Sequence, residues 1–421
     1  MRLLKKETRY YLPHLAGLCL GCGAQLPDAF LDLGEMPLAN SYVEAGNVDK
    51  QETVYRLAVA YCPLCHLVQI THRVPPQDMF SDYLYFSSFS SAFLKHAEAM
   101  AESLATRFSV GSNNLVMEVG SNDGYLLNFF QKKGVPVLGI EPAGNIARVA
   151  NERGIPTMDV FFGPESVNEI LNEKGQAEII IGNNVLAHVP LINDFMHCVN
   201  KCLKPGGSAV FEFPYLKDLL EHTEFDTIYH EHVFYYSLNA IKILAERVGM
   251  SVYDVSRQDI HGGSIRVLLQ KQNNHDVANI VNQMLIEEAN YGITSSSVYN
   301  AFAERVERLK TELVRLLKDL KKNGKTIAAY GAAAKGSTLL NYADIDTALI
   351  DFVVDKSTYK QGKCMPGVHL PIFSPSRLLE AMPDYTLLLA WNFADEIQQQ
   401  QSEYLQRGGR FIIPVPEPRV V

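Results

Sequence analysis

Two Cys-x-x-Cys pairs, Cys19-Leu-Gly-Cys22 and Cys62-Pro-Leu-Cys65, constrain the folding of this chain more than any other feature, and 39 residues lie between them. Zinc takes four thiolate or imidazole ligands in a tetrahedron, and a two-residue spacer lets two sulfurs reach one ion from a tight turn. Four cysteines close the shell, so the expected ion is structural. Strand and turn material between the pairs, Phe30-Leu-Asp-Leu33 and Val54 to Ala60, points to a small ribbon-like fold. The alternatives are ordinary reduced turns or a redox pair, a motif that seldom occurs twice in one chain. His66 and His72 are the imidazoles placed to replace a cysteine. Cys198 and Cys202, four apart in an expected helix, and Cys364 in an expected loop read as plain thiols.

A metal-held segment over 1–75 leaves most of the 421 residues to other domains. At roughly 150 residues per domain the length suits two to four, too many for one hydrophobic core. Lys and Arg number 38 against 47 Asp and Glu, a net charge of -9, so no overall field recruits a phosphate backbone or anionic lipid. Nucleic acid and membrane are therefore not expected partners. No long apolar window and no apolar signal core are visible, which makes the cytoplasm the expected location.

Beyond a polar break at 111–114, Leu115-Val-Met-Glu-Val119 reads as a strand, Gly120-Ser-Asn-Asp-Gly124 as a tight turn, and Tyr125-Leu-Leu-Asn-Phe-Phe as a helix start. The spacing lacks the Gly-x-Gly-x-x-Gly of dinucleotide folds and offers little diphosphate cradle. Val135 to Ile140 is the next strand and ends in Glu141, placed to accept hydrogen bonds from both ribose hydroxyls. A third strand leads to Asp159. A fourth, Ala177 to Ile181, reaches Gly182-Asn183-Asn184 and His188, and Leu-Lys-Pro-Gly-Gly207 turns into a fifth over 208–213. The alternation predicts a parallel sheet with its ligand at the carboxyl ends of the strands. In this order the signatures resemble class I S-adenosylmethionine (SAM) methyltransferases. That likeness implies cofactor contacts from Glu118, Gly120, Asn122, Asp123, Gly124, Glu141, Asp159 (near the adenine) and Asn183.

Asp226-Thr-Ile-Tyr229-His230-Glu231-His232-Val-Phe-Tyr235-Tyr236-Ser237 concentrates ionisable and aromatic groups, and Asp82 to Ser88 and His261-Gly-Gly-Ser264 flank it. On a strand His230 and His232 would point the same way, which leaves a metal site with Glu231 as one alternative. Acid–base work fits better, since a neutral imidazole accepts a proton at physiological pH and a neighbouring carboxylate holds its tautomer. Tyr85, Ser87, His261 and Ser264 are candidate substrate contacts.

The two cysteine pairs, Glu-Val-Gly-Ser-Asn-Asp-Gly-Tyr-Leu at 118–126, Tyr-His-Glu-His at 229–232, His-Gly-Gly-Ser at 261–264 and Gly-Ala-Ala-Ala-Lys-Gly-Ser-Thr at 331–338 together resemble the sugar C-methyltransferases, across essentially the whole chain. Those enzymes place a methyl on C-3 of a nucleotide-linked 4-keto-6-deoxy sugar. The resemblance implies His232 as the base at C-3, Glu231 and Tyr229 as groups that orient it or bind the sugar, and Tyr83 and His188 near the keto group.

From Val298, apolar residues at 302, 306, 309, 313, 316 and 320 predict one long amphipathic helix. A strand at 325–330 then enters the small-residue run at 331–338. There backbone N–H groups approach a phosphate at a helix N-terminus and Lys335 adds charge. The resemblance implies Lys335, Ser337 and Thr338 as diphosphate contacts, and Arg266 is a further candidate. The alternative is a glycine turn packing a helix on a strand, with Lys335 in solvent.

The expected protein is thus α/β in three parts: a zinc ribbon-like domain (1–75), a class I SAM methyltransferase domain (76–275) and a C-terminal Rossmann-like domain (276–421) that binds a nucleotide sugar, as a monomer. Whether the nucleotide is thymidine (dTDP) or guanosine (GDP) diphosphate stays open. An O- or N-methyltransferase, or an RNA-modifying or zinc-ribbon interaction protein, is the alternative.

Overall fold

The computed structural model describes residues 17–74, 91–260, 262–271 and 274–421. At the N-terminal end lie β1 (Leu31–Met36), β2 (Val43–Glu44), β3 (Tyr55–Tyr61) and β4 (Val68–Ile70). Leu31 and Leu33 turn inward from β1 and its pairing with β3 slips between Asp32 and Glu35, where Gly34 takes a left-handed φ of 82° and bulges the strand.

The central sheet follows with β5 (Val116–Val119), β6 (Val137–Ile140), β7 (Thr157–Met158), β8 (Ala177–Asn183) and β9 (Leu203–Pro214), then β10 (Phe234–Tyr235), β11 (Met250–Gln258) and β12 (Ser264–Lys271). Its order is β11-β12-β9-β8-β5-β6-β7, with β10 belonging elsewhere. β5 to β9 are parallel, as their near-continuous apolar runs predict for strands covered on both faces. β12 is wedged antiparallel between β9 and β11. The turn expected at Lys204-Pro-Gly-Gly207 lies inside β9: Ala177 pairs with Leu203 but Ile179 with Ser208, so these residues bulge and Gly206 takes a φ of 81°.

β13 (Ile327–Tyr330), β14 (Val353–Val354), β15 (Lys363–Cys364), β16 (Ile372–Phe373), β17 (Tyr385–Leu388), β18 (Arg410–Ile413) and β19 (Arg419–Val420) complete the chain. They form a second sheet, β16-β14-β13-β17-β18-β19, parallel except for β19. Gly331 makes the sharp exit from β13 at a φ of 99°, and an added Cβ there would lie 2.8 Å from the Cβ of Ala390. β15 pairs with β2, so Cys364 sits in a short ribbon rather than a loop.

The three parts share a core. The largest buried apolar cluster runs from Leu20 and Leu57 through Phe211 and Leu244 to Leu313 and Val353. Its hinge is the helix Ser296–Lys322, capped by the Ser295 hydroxyl. That helix buries Tyr299, Phe302, Val306, Leu309, Leu313 and Leu317, while Leu316 and Leu320, expected on the stripe, lie half-buried at its flank. Tyr299 stacks on Tyr61, ring centres 4.4 Å apart, and packs 5.0 Å from Phe30, so this helix closes over the cysteine segment. β10 pairs with β4 and completes the N-terminal sheet. Among the described residues no helix is long and apolar enough to cross a membrane.

Candidate active site and metal centre

Each cysteine pair sits in a turn closed by its own backbone: Gly23 N donates to Cys19 O, and His66 N to Cys62 O. The sulfurs of Cys19 and Cys65 are 3.4 Å apart and those of Cys22 and Cys62 3.5 Å, and all four lie within 4.8 Å of one another. Tetrahedral zinc with bonds of about 2.3 Å needs sulfur–sulfur edges of about 3.8 Å, so the group fits a closed four-cysteine site. Burial pushes the Cys62 thiol up to about 11, a cost that a bound cation offsets. His66 and His72 are engaged elsewhere, at the Tyr61 and Thr71 hydroxyls.

The candidate cofactor cradle is the loop after β5. Gly120, Asn122 and Gly124 all take positive φ (65°, 49° and 77°), and a Cβ on Gly120 would come 2.7 Å from Val185. Glu141, buried at the end of β6, accepts from the backbone N–H of Asn122 and of Ala143, both at 2.9 Å, one on each oxygen. Each oxygen keeps a lone pair for a ribose hydroxyl. Asp159 stands exposed against Gly144, whose absent side chain would meet its Oδ2 at 2.7 Å. Among the described residues both carboxylate oxygens of the fully buried Glu118 lack a partner, and burial with Glu141 and Asp123 nearby raises its pKa well above the usual range. Such a group calls for a cation, and SAM carries an ammonium and a sulfonium. Asn183 Oδ1 has no partner among the described residues. These residues fit the cofactor. Asp123 is turned to another purpose, since its Oδ2 is 2.7 Å from Arg153 in an ion pair that braces the loop.

The Tyr229–His232 segment is a turn, not a strand, closed by His232 N donating to Tyr229 O at 2.9 Å. Its two histidines therefore diverge. His230 is buried and its Nε2–H donates to Tyr55 O at 3.1 Å, with its pKa pushed down to about 4 by burial. The metal alternative for this pair fails, for among the described residues the four cysteines are the only metal-like cluster. The Nδ1–H of His232 donates to Thr227 O at 3.1 Å, which makes Nε2 the acceptor in the neutral tautomer, and the Tyr229 hydroxyl lies 2.7 Å from it. His188 presents its edge to His232, ring centres 4.9 Å apart, bonds to the main chain of Glu231, and is held neutral by a pKa pushed down to about 4. The Glu231 carboxylate accepts from Asn40 at 2.7 Å, so the carbonyl of Thr227, not Glu231, orients the base. Tyr83, Tyr85, Ser87 and His261 lie outside the described residues.

Other expected contacts serve the fold. Arg266, half-buried on β12, forms an ion pair with Glu212 at 2.7 Å, and His96 holds the other Glu212 oxygen at 2.7 Å, so its guanidinium is engaged within the sheet. Ser264 is buried and donates to Ile260 O at 3.3 Å. The hairpin glycines make room for acids: a Cβ on Gly262 would lie 2.7 Å from the Glu224 carboxylate, one on Gly263 2.5 Å from Asp218. Ser337 and Thr338 are buried at a seam, their hydroxyls donating to Ala39 O (2.8 Å) and Ile228 O (3.2 Å). The Lys335 ammonium stands 4.8 Å over the Trp391 ring, where its charge lowers the pKa values of Glu224 and Asp226. It is not in open solvent. Burial still carries Glu224 up to about 8 and Asp226 to about 6, and Trp391 donates to Asp226 at 2.6 Å. Asn40 and Trp391 are interdomain partners that no motif singled out. Asn40 sits in a plain Pro-Leu-Ala-Asn loop, and only the fold brings it to Glu231.

Three family models match in sequence order: a putative zinc binding domain over 19–80, a methyltransferase domain over 93–255, and a C-methyltransferase C-terminal domain over 259–416. The C-methyltransferase NovU of Streptomyces niveus is 39% identical over 407 residues, 96% of each chain. A mitochondrial ubiquinone biosynthesis O-methyltransferase of Rattus norvegicus is 29% identical over 98 residues, 22% of this chain and 28% of the relative. A solved protein of Pyrococcus horikoshii, PH0226, aligns at 14% identity over 45% of this chain and 95% of its own, with a TM-score of 0.37, too slight a likeness to argue from. Near-complete coverage by a C-methyltransferase, together with the cofactor cradle and the four-cysteine site, leads to one conclusion: the chain belongs to the SAM-dependent C-methyltransferases with a zinc-binding N-terminal segment.

Proposed function

We propose that this enzyme methylates C-3 of a nucleotide-linked 4-keto-6-deoxy sugar. The observation that carries the reading is the His232 ring, with Nδ1–H fixed on a carbonyl and Nε2 left as the acceptor beside the Tyr229 hydroxyl. Carbon becomes a nucleophile only as an enolate, so a neighbouring ketone must acidify the C–H bond and the oxyanion must be met by donors. His232 Nε2 takes the proton, and the resulting imidazolium keeps its hydrogen bond to Thr227. The Tyr229 hydroxyl, once released from Nε2, is a donor for the oxyanion. His188, held neutral, adds no charge against the imidazolium beside it. When bound, SAM supplies an electrophilic sulfonium methyl, and the chain's main contribution to that step is alignment.

In this reading the C-terminal sheet receives the nucleotide, supported by the backbone N–H groups of the Gly331–Thr338 turn and the Lys335 charge beside it. The Ser337 and Thr338 side chains are spent on the seam. A panel of dTDP- and GDP-linked 4-keto-6-deoxy sugars, read by product mass, tests the proposal. A 4-keto substrate should gain one methyl and its 4-hydroxy analogue none; methylation of the 4-hydroxy analogue would contradict an enolate.

A further inference from the structure

The loop that carries the base is held from the zinc-binding side at four places. His230 donates to the carbonyl of Tyr55 on β3 (3.1 Å), and the Glu231 carboxylate accepts from the side chain of Asn40 (2.7 Å). Ile70 N at the end of β4 donates to Val233 O (3.0 Å), and Phe234 and Tyr235 then pair with Gln69 and Val68. Val233 is shared, because its own N–H donates to Ala187 O at 2.7 Å, beside His188. The clamp leads back to the cysteines: Leu20 N, next to Cys19, donates to the Gln69 side chain at 2.9 Å, and Gln69 returns a bond to Leu18 O at 3.2 Å.

From this geometry we infer that the four-cysteine segment is the clamp that sets the spacing of His188 and His232, with Asn40 as a positioning residue acting through Glu231. Asn40 meets the Glu231 carboxylate, and the Glu231 main chain meets the His188 ring, so one amide fixes the peptide that orients the second histidine. A metal held by the four cysteines would act by keeping the first cysteine turn, Gln69 and β4 in register, and β4 in turn holds β10 directly behind His232. A small displacement of a general base is costly because proton transfer requires hydrogen-bond reach. This inference rests on the proposed role of His232.

Asn40→Ala and Asn40→Gln in the zinc-loaded enzyme test it. Asn40 is exposed on a loop, so neither change opens a core cavity. The readouts are zinc content, SAM affinity, backbone deuterium uptake over 228–236, and two rates with a 4-keto-6-deoxy nucleotide sugar: solvent exchange at C-3 and methyl transfer. Asn40→Ala should keep its zinc and its SAM affinity, lose protection at 228–236, and slow both rates about tenfold with KM little changed. Asn40→Gln should recover part of that loss. Wild-type uptake and rates in Asn40→Ala would overturn the inference, and so would loss of zinc or SAM binding in parallel with the rates. Absence of C-3 exchange in the wild-type enzyme would instead remove the base assignment, leaving the clamp to be judged by deuterium uptake alone.

Discussion

Glu118 is buried completely, hydrogen-bonded to nothing among the described residues, and aligned at the end of β5 with Glu141 and Asp123 nearby. A carboxyl whose folded-state pKa is raised stabilises the protein while it stays protonated, and that contribution is lost as pH rises from the unfolded value of about 4.3 through the folded one. If Glu118 faces the cofactor as proposed, the ligand-free enzyme carries a costly buried acid that a bound cation would relieve. Glu118→Gln should melt higher than wild type without cofactor at pH 8, melt the same at pH 4, and bind SAM at least about tenfold more weakly. Calorimetric titration and thermal melts read both effects, and unchanged SAM affinity would show that the carboxylate does not serve the cofactor. At this scale, legibility in the sequence depended on how many uses a side chain has. His232 stood out because it is one of few groups that accept a proton near neutrality. Arg266, Ser264, Ser337 and Thr338 did not declare themselves, since the same polar groups serve equally well in an internal ion pair or at a seam. Only the partner decides, and Glu212, Ile260, Ala39 and Ile228 lie far off in sequence or across a turn.

Elements were legible wherever local periodicity sets them. The strands β5, β6 and β8 and the helix Ser296–Lys322 fall where their apolar patterns place them. What local pattern missed is pairing. β12 reverses inside an otherwise parallel sheet, and β10, two residues long, leaves the central unit to complete the N-terminal sheet. The long helix shows the same limit: its period was readable, but the packing of the fold buries Leu317 and leaves Leu316 half-buried. Leu317→Ala should cost about 2–5 kcal/mol and Leu316→Ala under about 1.5 kcal/mol in chemical denaturation. Equal costs would mean that the helix is turned differently on its axis.

The whole molecule is three sequence segments that share one large buried cluster, with a smaller cluster inside the central part and another inside the C-terminal part. Length alone argued for separate cores, but Tyr299 on Tyr61, Trp391 on Asp226 and Asn40 on Glu231 bind each segment to another. Such contacts leave no trace in a single chain's periodicity, because each side of a seam is specified by its own segment. The arrangement explains how an acidic chain handles an anionic nucleotide sugar under the proposed reading: charge is met locally, by Lys335 and backbone N–H groups, while the base sits on a loop braced by the zinc-binding side. The central claim, that His232 makes a carbon nucleophile, is tested most directly by incubating wild type and His232→Asn with a 4-keto-6-deoxy nucleotide sugar in deuterated water and following the C-3 proton by NMR. The wild-type enzyme should exchange that proton, and His232→Asn should lose exchange and methyl transfer together by roughly 10²-fold or more while binding SAM normally. Exchange at the wild-type rate in His232→Asn would contradict the account.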